Sequence, residues 1–252
     1  MEEEDKKTKE TKKKFRVKVW VLLVAGIIVL GVMGWAIWER VEEVNCQNNI
    51  NNNGNNSGVI VPNNPEFYPA LAKPIIYLYP EEEINVRVKL GKPENITCSY
   101  PNYESGWEII AKPNGRLTDT KTGRNLYALY WEGIDTNKSE IKEGFVIKGC
   151  ETIKFLEEKL EILGLNEIEA EEFIVYWLPK LQENKYNYIR FATMEEINEK
   201  MPLEFSVEPD TLIRVLMEFK GLEEYIEIPE QKLETPERKG FVVVEWGGTE
   251  IK

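Results

Sequence analysis

With no histidine among its 252 residues, this chain leaves acid–base chemistry to carboxylates, tyrosine, lysine and cysteine. Ser-His-Asp and Cys-His nucleophile systems are excluded, as are His-ligated zinc and haem. The most suggestive remaining pair is Glu132, in Tyr-Trp-Glu-Gly, and Glu245, in Glu-Trp-Gly-Gly. Each ends an apolar run, adjoins a tryptophan and is followed closely by glycine. Two carboxylates flanking a glycosidic bond, with aromatic faces to stack on sugar rings, form the arrangement a glycosidase needs. Either glutamate would serve as proton donor if desolvation raised its pKa. The competing reading is structural: both are strand-end glutamates paired with arginines such as Arg190 or Arg214, and the indoles belong to the core.

Stacking partners for a saccharide or peptide would come from Trp107, Trp131 and Trp246, or from an exposed subset of a tyrosine-rich set that includes Tyr77, Tyr79, Tyr100, Tyr103, Tyr127 and Tyr130. Sulfur chemistry rests on three cysteines. Cys98 and Cys150 fall at the edges of candidate strands, where a bridge would close a loop of roughly 50 residues and contribute about 2–4 kcal/mol. Two buried thiols acting as small hydrophobes are the alternative, and Cys46 is left over for an intermolecular bond. No phosphate-binding glycine loop, dinucleotide fingerprint, nucleophile elbow or EF-hand loop is present, so no cofactor is expected. Aspartate in the presumed folded part is limited to Asp119, Asp135 and Asp210, and no metal site is expected either.

The elements that must position these residues begin with charge. The chain carries 32 Lys+Arg against 44 Asp+Glu, a net −12. Residues 1–44 hold nine positive and eight negative side chains, so the remainder is 23 against 36, a net −13. That surface opposes nucleic-acid binding, which needs Lys/Arg to neutralise phosphate. Membrane contact must instead come from Val19 to Trp38, 20 residues without a charge. At about 1.5 Å per residue they span roughly 30 Å, a bilayer core. Trp20, Trp35 and Trp38 lie near its ends, and residues 11–18 carry five positive charges. The positive-inside rule then predicts a cytoplasmic N-terminus and an exported remainder. A cleaved signal peptide is the rival, but its apolar region is shorter and ends at small residues; a buried core helix is the other.

Residues 45–65 contain 10 asparagines in 21 positions and almost nothing to bury, which predicts a disordered tether after the juxtamembrane residues. Asn55, Asn95 and Asn137 fit the N-glycosylation pattern. From about Glu66 to Lys252 the chain reads as one α+β domain, predominantly β with a central helical pair. Strands are predicted at 75–79, 84–90, 96–100, 107–111, 126–131, 145–147, 186–191, 203–207, 212–219 and 241–246, of which 212–219 is open to a helical reading. Ile153, Leu156, Leu160 and Leu163 form a helical stripe closed by Gly164. Asn166 and Glu169 form a capping box for a second helix, which Pro179 should kink or stop.

Along the words Lys73–Pro80 (KPIIYLYP), Gly106-Trp107, Tyr130–Gly133 (YWEG), Gly144–Ile147 (GFVI), Glu172–Pro179 (EFIVYWLP) and Lys239–Gly248 (KGFVVVEWGG), the chain resembles an uncharacterised family spread through microbial and fungal sequences. The resemblance covers most of residues 73–248. It implies a single recurring domain and supplies no catalytic residue.

The expectation is therefore a single-pass membrane protein whose tethered acidic domain is a surface binding or structural module for a polysaccharide or protein partner. A membrane-anchored hydrolase using Glu132 and Glu245 is the alternative.

Overall fold

The computed structural model describes residues 70–134 and 141–251, all within the compact unit Asn56–Lys252. The apolar span at 19–38, the Asn-rich linker, Cys46, Asn55 and Asn137 lie outside the described residues. Among the described residues no helix is long and apolar enough to cross a membrane.

The described part is mostly β, with 42% strand and 23% helix. A seven-stranded sheet has the order β3-β7-β1-β12-β11-β9-β8. It is built from β3 (Ile96–Tyr100), β7 (Leu129–Ile134), β1 (Ala70–Tyr79), β12 (Val242–Glu250), β11 (Thr211–Leu222), β9 (Tyr186–Phe191) and β8 (Phe145–Lys148). A five-stranded sheet, β10-β2-β4-β5-β6, comprises β10 (Leu203–Phe205), β2 (Ile84–Leu90), β4 (Trp107–Ala111), β5 (Leu117–Asp119) and β6 (Asn125–Leu126). The helices are α1 (Thr152–Ile162), α2 (Glu167–Gln182) and α3 (Met194–Lys200).

Two cores lie on the two faces of the large sheet. Ile76, Leu78, Leu129, Trp131 and Val243 meet Val88, Trp107, Ile109 and Leu117 of the small sheet. On the other face Ile75, Tyr77, Val244 and Trp246 meet Leu156, Leu160, Phe173 and Trp177 of α1 and α2. The central strands are therefore covered on both sides, and Ile213–Phe219 and Val242–Thr249 are buried without alternation. β11 and β12 pair in parallel, and every other strand pair is antiparallel.

Local signals explain the helices. Gly164, at φ 85°, ends α1 with Leu165 N–H donating to Leu160 and Gly164 N–H to Glu161, a Schellman closure. Asn166 and Glu169 form the reciprocal capping box of α2, and Arg238 adds a two-pronged contact to the same buried Glu169 carboxylate at 2.9 and 3.1 Å. Pro179 does not stop α2, which runs on to Gln182. Only the last few residues lie beyond it, so little of the helix depends on the hydrogen bond it removes.

The Cys98–Cys150 bridge is not formed: Cys98 is a free, exposed thiol, whereas Cys150 is disulfide-bonded. The reason is topological. Cys98 lies on β3 at one edge of the large sheet, and Cys150 lies in the 3-10 turn directly after β8 at the other edge. Six strand spacings separate those edges, roughly 29 Å, where a disulfide needs Cα atoms within about 7 Å. Consequently Cys98 should react with a maleimide in the non-reduced, natively folded chain. Cys98→Ser should remove the label from the peptide carrying position 98 and shift stability by no more than about 0.5 kcal/mol in denaturant melts.

Candidate functional site: a tyrosine–lysine corner beside helix α2

Register decides the fate of the glutamate pair. On β1, Ile75 pairs with Tyr130 on one side and Trp246 on the other, while Ile76 pairs with Leu129 and Glu245. Paired residues share a face and neighbours alternate. Glu245 therefore points with Trp131 toward the small sheet, and Glu132 points with Tyr130 and Trp246 toward the helices. The two carboxylates lie on opposite faces and cannot flank one bond.

Glu245 is fully engaged where it is. Arg214 contacts its Oε2 at 2.6 Å, and Trp131 Nε1 donates to its Oε1 at 3.0 Å. Arg214 also donates to Asn198 Oδ1 and to the Met201 carbonyl. Alongside, Glu218 accepts from Lys200 at 2.7 Å and Arg190 at 3.1 Å. Leu71, Trp131, Lys200, Arg214 and Glu245 border a cavity with room for about one water molecule. The structural reading of Glu245, paired with Arg214, describes this layer.

The three tryptophans offered as stacking partners are core residues, so that expectation is corrected. Trp107 is 2% exposed, donates to the Pro101 carbonyl and packs edge-on to Tyr103. Trp131 is equally buried through its bond to Glu245. Trp246 is fully covered and donates to Tyr77 Oη at 3.2 Å. Each indole finds its polar partner inside the protein, which is what burial of an N–H demands.

The exposed aromatics lie elsewhere. β7 and β3 form the end of the large sheet, and among the described residues the outer edge of β3 has no partner strand. On the helix-side face of this wing, Tyr100 pairs across to Tyr130 and Cys98 to Glu132. Tyr100 is 49% exposed and Tyr127, just before β7, is 61% exposed. Tyr130 and Glu132 are half-buried.

Helix α2 supplies the adjoining wall. Glu172, Tyr176 and Lys180 recur every four residues and so share one helical face. Glu172 accepts from Tyr77 Oη at 2.6 Å, and the Tyr77 ring stands 6.4 Å from that of Tyr127. Lys73 closes the corner. It sits at φ 53° in a bulge of β1, donates its backbone N–H to Glu132 Oε1 at 3.3 Å, and holds its ammonium 4.8 Å from the Tyr176 ring centre.

Burial and nearby carboxylates keep these phenols protonated. Burial, reinforced by Glu172, pushes Tyr77 far above the ordinary tyrosine value. Burial and Glu132 do the same for Tyr130, and burial and Glu172 raise Tyr127. The corner thus offers neutral hydroxyl donors, half-buried carboxylate acceptors and open ring faces. No group of three or more potential metal ligands occurs among the described residues. Tyr100 and Tyr127 belonged to the tyrosine set visible in the sequence, but Lys73 and the Glu172–Tyr176–Lys180 stripe were missed. The four-residue spacing on a predicted helix was the signal available for the stripe.

No protein-family model matches this chain, and neither the curated proteins nor the solved structures yield a significant match.

Proposed function

We propose that this chain is a single-pass membrane protein, anchored through residues 19–38 with its N-terminus in the cytoplasm, that presents residues 66–252 outside the cell as a polysaccharide-binding module. The observation that carries the binding reading is the uncovered β7–β3 wing, where Tyr100 and Tyr127 expose their rings beside the half-buried carboxylates of Glu132 and Glu172. Sugars combine an apolar ring face with a rim of hydroxyls, and that composition is matched by aromatic faces edged with hydrogen-bonding groups. The net −13 beyond residue 44 argues against nucleic acid. The anchor reading rests on the 20-residue uncharged run and its basic N-terminal flank. Hydrolysis by Glu132 and Glu245 has no geometric support, because their carboxylates occupy opposite faces of the sheet.

The full chain in lipid nanodiscs should bind members of a polysaccharide array, and Tyr127→Ala should weaken that binding about tenfold, the scale of a single aromatic anchor. Its melting temperature should stay unchanged, since the ring is exposed. Loss of stability without loss of binding would remove Tyr127 from the site. Protease added to intact cells should digest the domain; protection until the cells are opened would overturn the topology.

A further inference from the structure

Lys73 and Lys180 form the least expected feature of this acidic domain. Lys73 adopts φ 53°, a left-handed conformation uncommon for a residue with a side chain, and it directly precedes Pro74, which restricts its backbone further. Its half-buried ammonium lies 4.8 Å from the Tyr176 ring centre and 5.8 Å from that of Trp246. Lys180 brings a second ammonium to 4.2 Å from the same Tyr176 ring and donates to Tyr176 Oη at 3.2 Å. Among the described residues, neither ammonium has a carboxylate within 4 Å.

Each ammonium gains a cation–π contact, yet two like charges flank one ring and Lys73 is held there by a left-handed backbone. Backbone strain persists where the surrounding structure over-determines it, and such positions cluster at ligand clamps. An anionic group placed against the Tyr176 edge would neutralise both ammoniums. Glu132, which accepts the Lys73 N–H at 3.3 Å, and Glu172, one turn from Tyr176, are the carboxylates such a group must pass, while charges more than about 8 Å away are largely screened at physiological salt.

Resting on the glycan reading above, we propose that Lys73 and Lys180 form a subsite for an anionic oxygen group of an acidic polysaccharide, a carboxylate, sulfate or phosphate ester, whose neighbouring sugar stacks on the tyrosine wing. The ligand runs from the ring faces of Tyr100 and Tyr127, past Glu132, to the two ammoniums. Lysine suits this task as a point charge that tolerates any of the three anions.

The test compares matched probes on the full chain in nanodiscs: oligogalacturonate with its methyl ester, dextran sulfate with dextran, and a phosphorylated mannan with its dephosphorylated form. The charged member of at least one pair should bind ten times more tightly or better, and which pair responds identifies the anion. Lys73→Gln with Lys180→Gln should abolish that preference, so that the charged and neutral members of the pair bind equally, with the melting temperature unchanged. Lys73→Asn, which suits the left-handed backbone, should lose its share of the preference and remain folded. Equal binding of both members of every pair, or a preference that survives the double substitution, overturns the subsite alone. Absence of binding to all six probes overturns the glycan reading and the subsite with it.

Discussion

Glu218→Ala should destabilise the domain by about 3–5 kcal/mol, the cost of stripping one partner from a buried ion pair. Glu218 is 1% exposed and accepts from both Lys200 and Arg190. Lys200 is itself 8% exposed, so alanine would withdraw a carboxylate at 2.7 Å from a buried ammonium. At roughly 2–4 °C per kcal/mol for a domain of this size, the melting point should fall by about 6–20 °C. Replacing the pair together, with Glu218→Leu and Lys200→Met, should restore most of that loss, because matched apolar residues avoid desolvating either charge. Arg190 keeps Glu196 in that variant. A Glu218→Ala chain that melts within 2 °C of wild type would show the layer to be hydrated and energetically minor.

Trp246→Ala should cost a comparable amount, about 3–5 kcal/mol, for a different reason. The indole packs edge-on to Phe173 at 5.3 Å and donates to Tyr77 Oη. Removing it leaves a cavity between β12 and α2 and withdraws one donor from Tyr77, whose hydroxyl remains bound to Glu172. Trp246→Phe should recover part of the packing and none of the hydrogen bond. The measurement that matters is the pairing of denaturant melts with glycan binding. If Trp246→Ala kept full stability but lost binding, the ring would be a ligand platform and not a core residue.

How far the sequence specifies all this depends on where each strand sits. β2 was readable because one of its faces is partly solvated, so Val86, Val88 and Leu90 alternate with more exposed neighbours. β11 was open to a helical reading because it is covered on both faces, which erases the period of two. The 126–131 run was read as continuous, but a break at 127–128 divides it between β6 in the small sheet and β7 in the large one. The Asn166–Glu169 capping box is legible in the sequence, and the Thr193–Glu196 box of α3 carries the same signal over a shorter helix. Strand 117–119 was also missed, being only three residues long.

The candidate site was less legible than the fold. Glu132 follows its tryptophan and Glu245 precedes its own, and whether that places them on one face depends on the register of both strands with β1. Register is a long-range property that neither segment carries alone. The same holds for the cysteines, whose separation follows from sheet order. Burial of the tryptophans follows from the large sheet having a second layer on each face, so no face of its central strands was left for a ligand.

The position of β12 between β1 and β11 has a consequence for biogenesis. Until residues 242–250 emerge from the ribosome, the large sheet exists only as two separate halves, β3-β7-β1 and β11-β9-β8, with no hydrogen-bonded seam between them. A chain in that state cannot close the large sheet. β12 is thus the keystone of the large sheet, joining two halves that lie far apart in the chain.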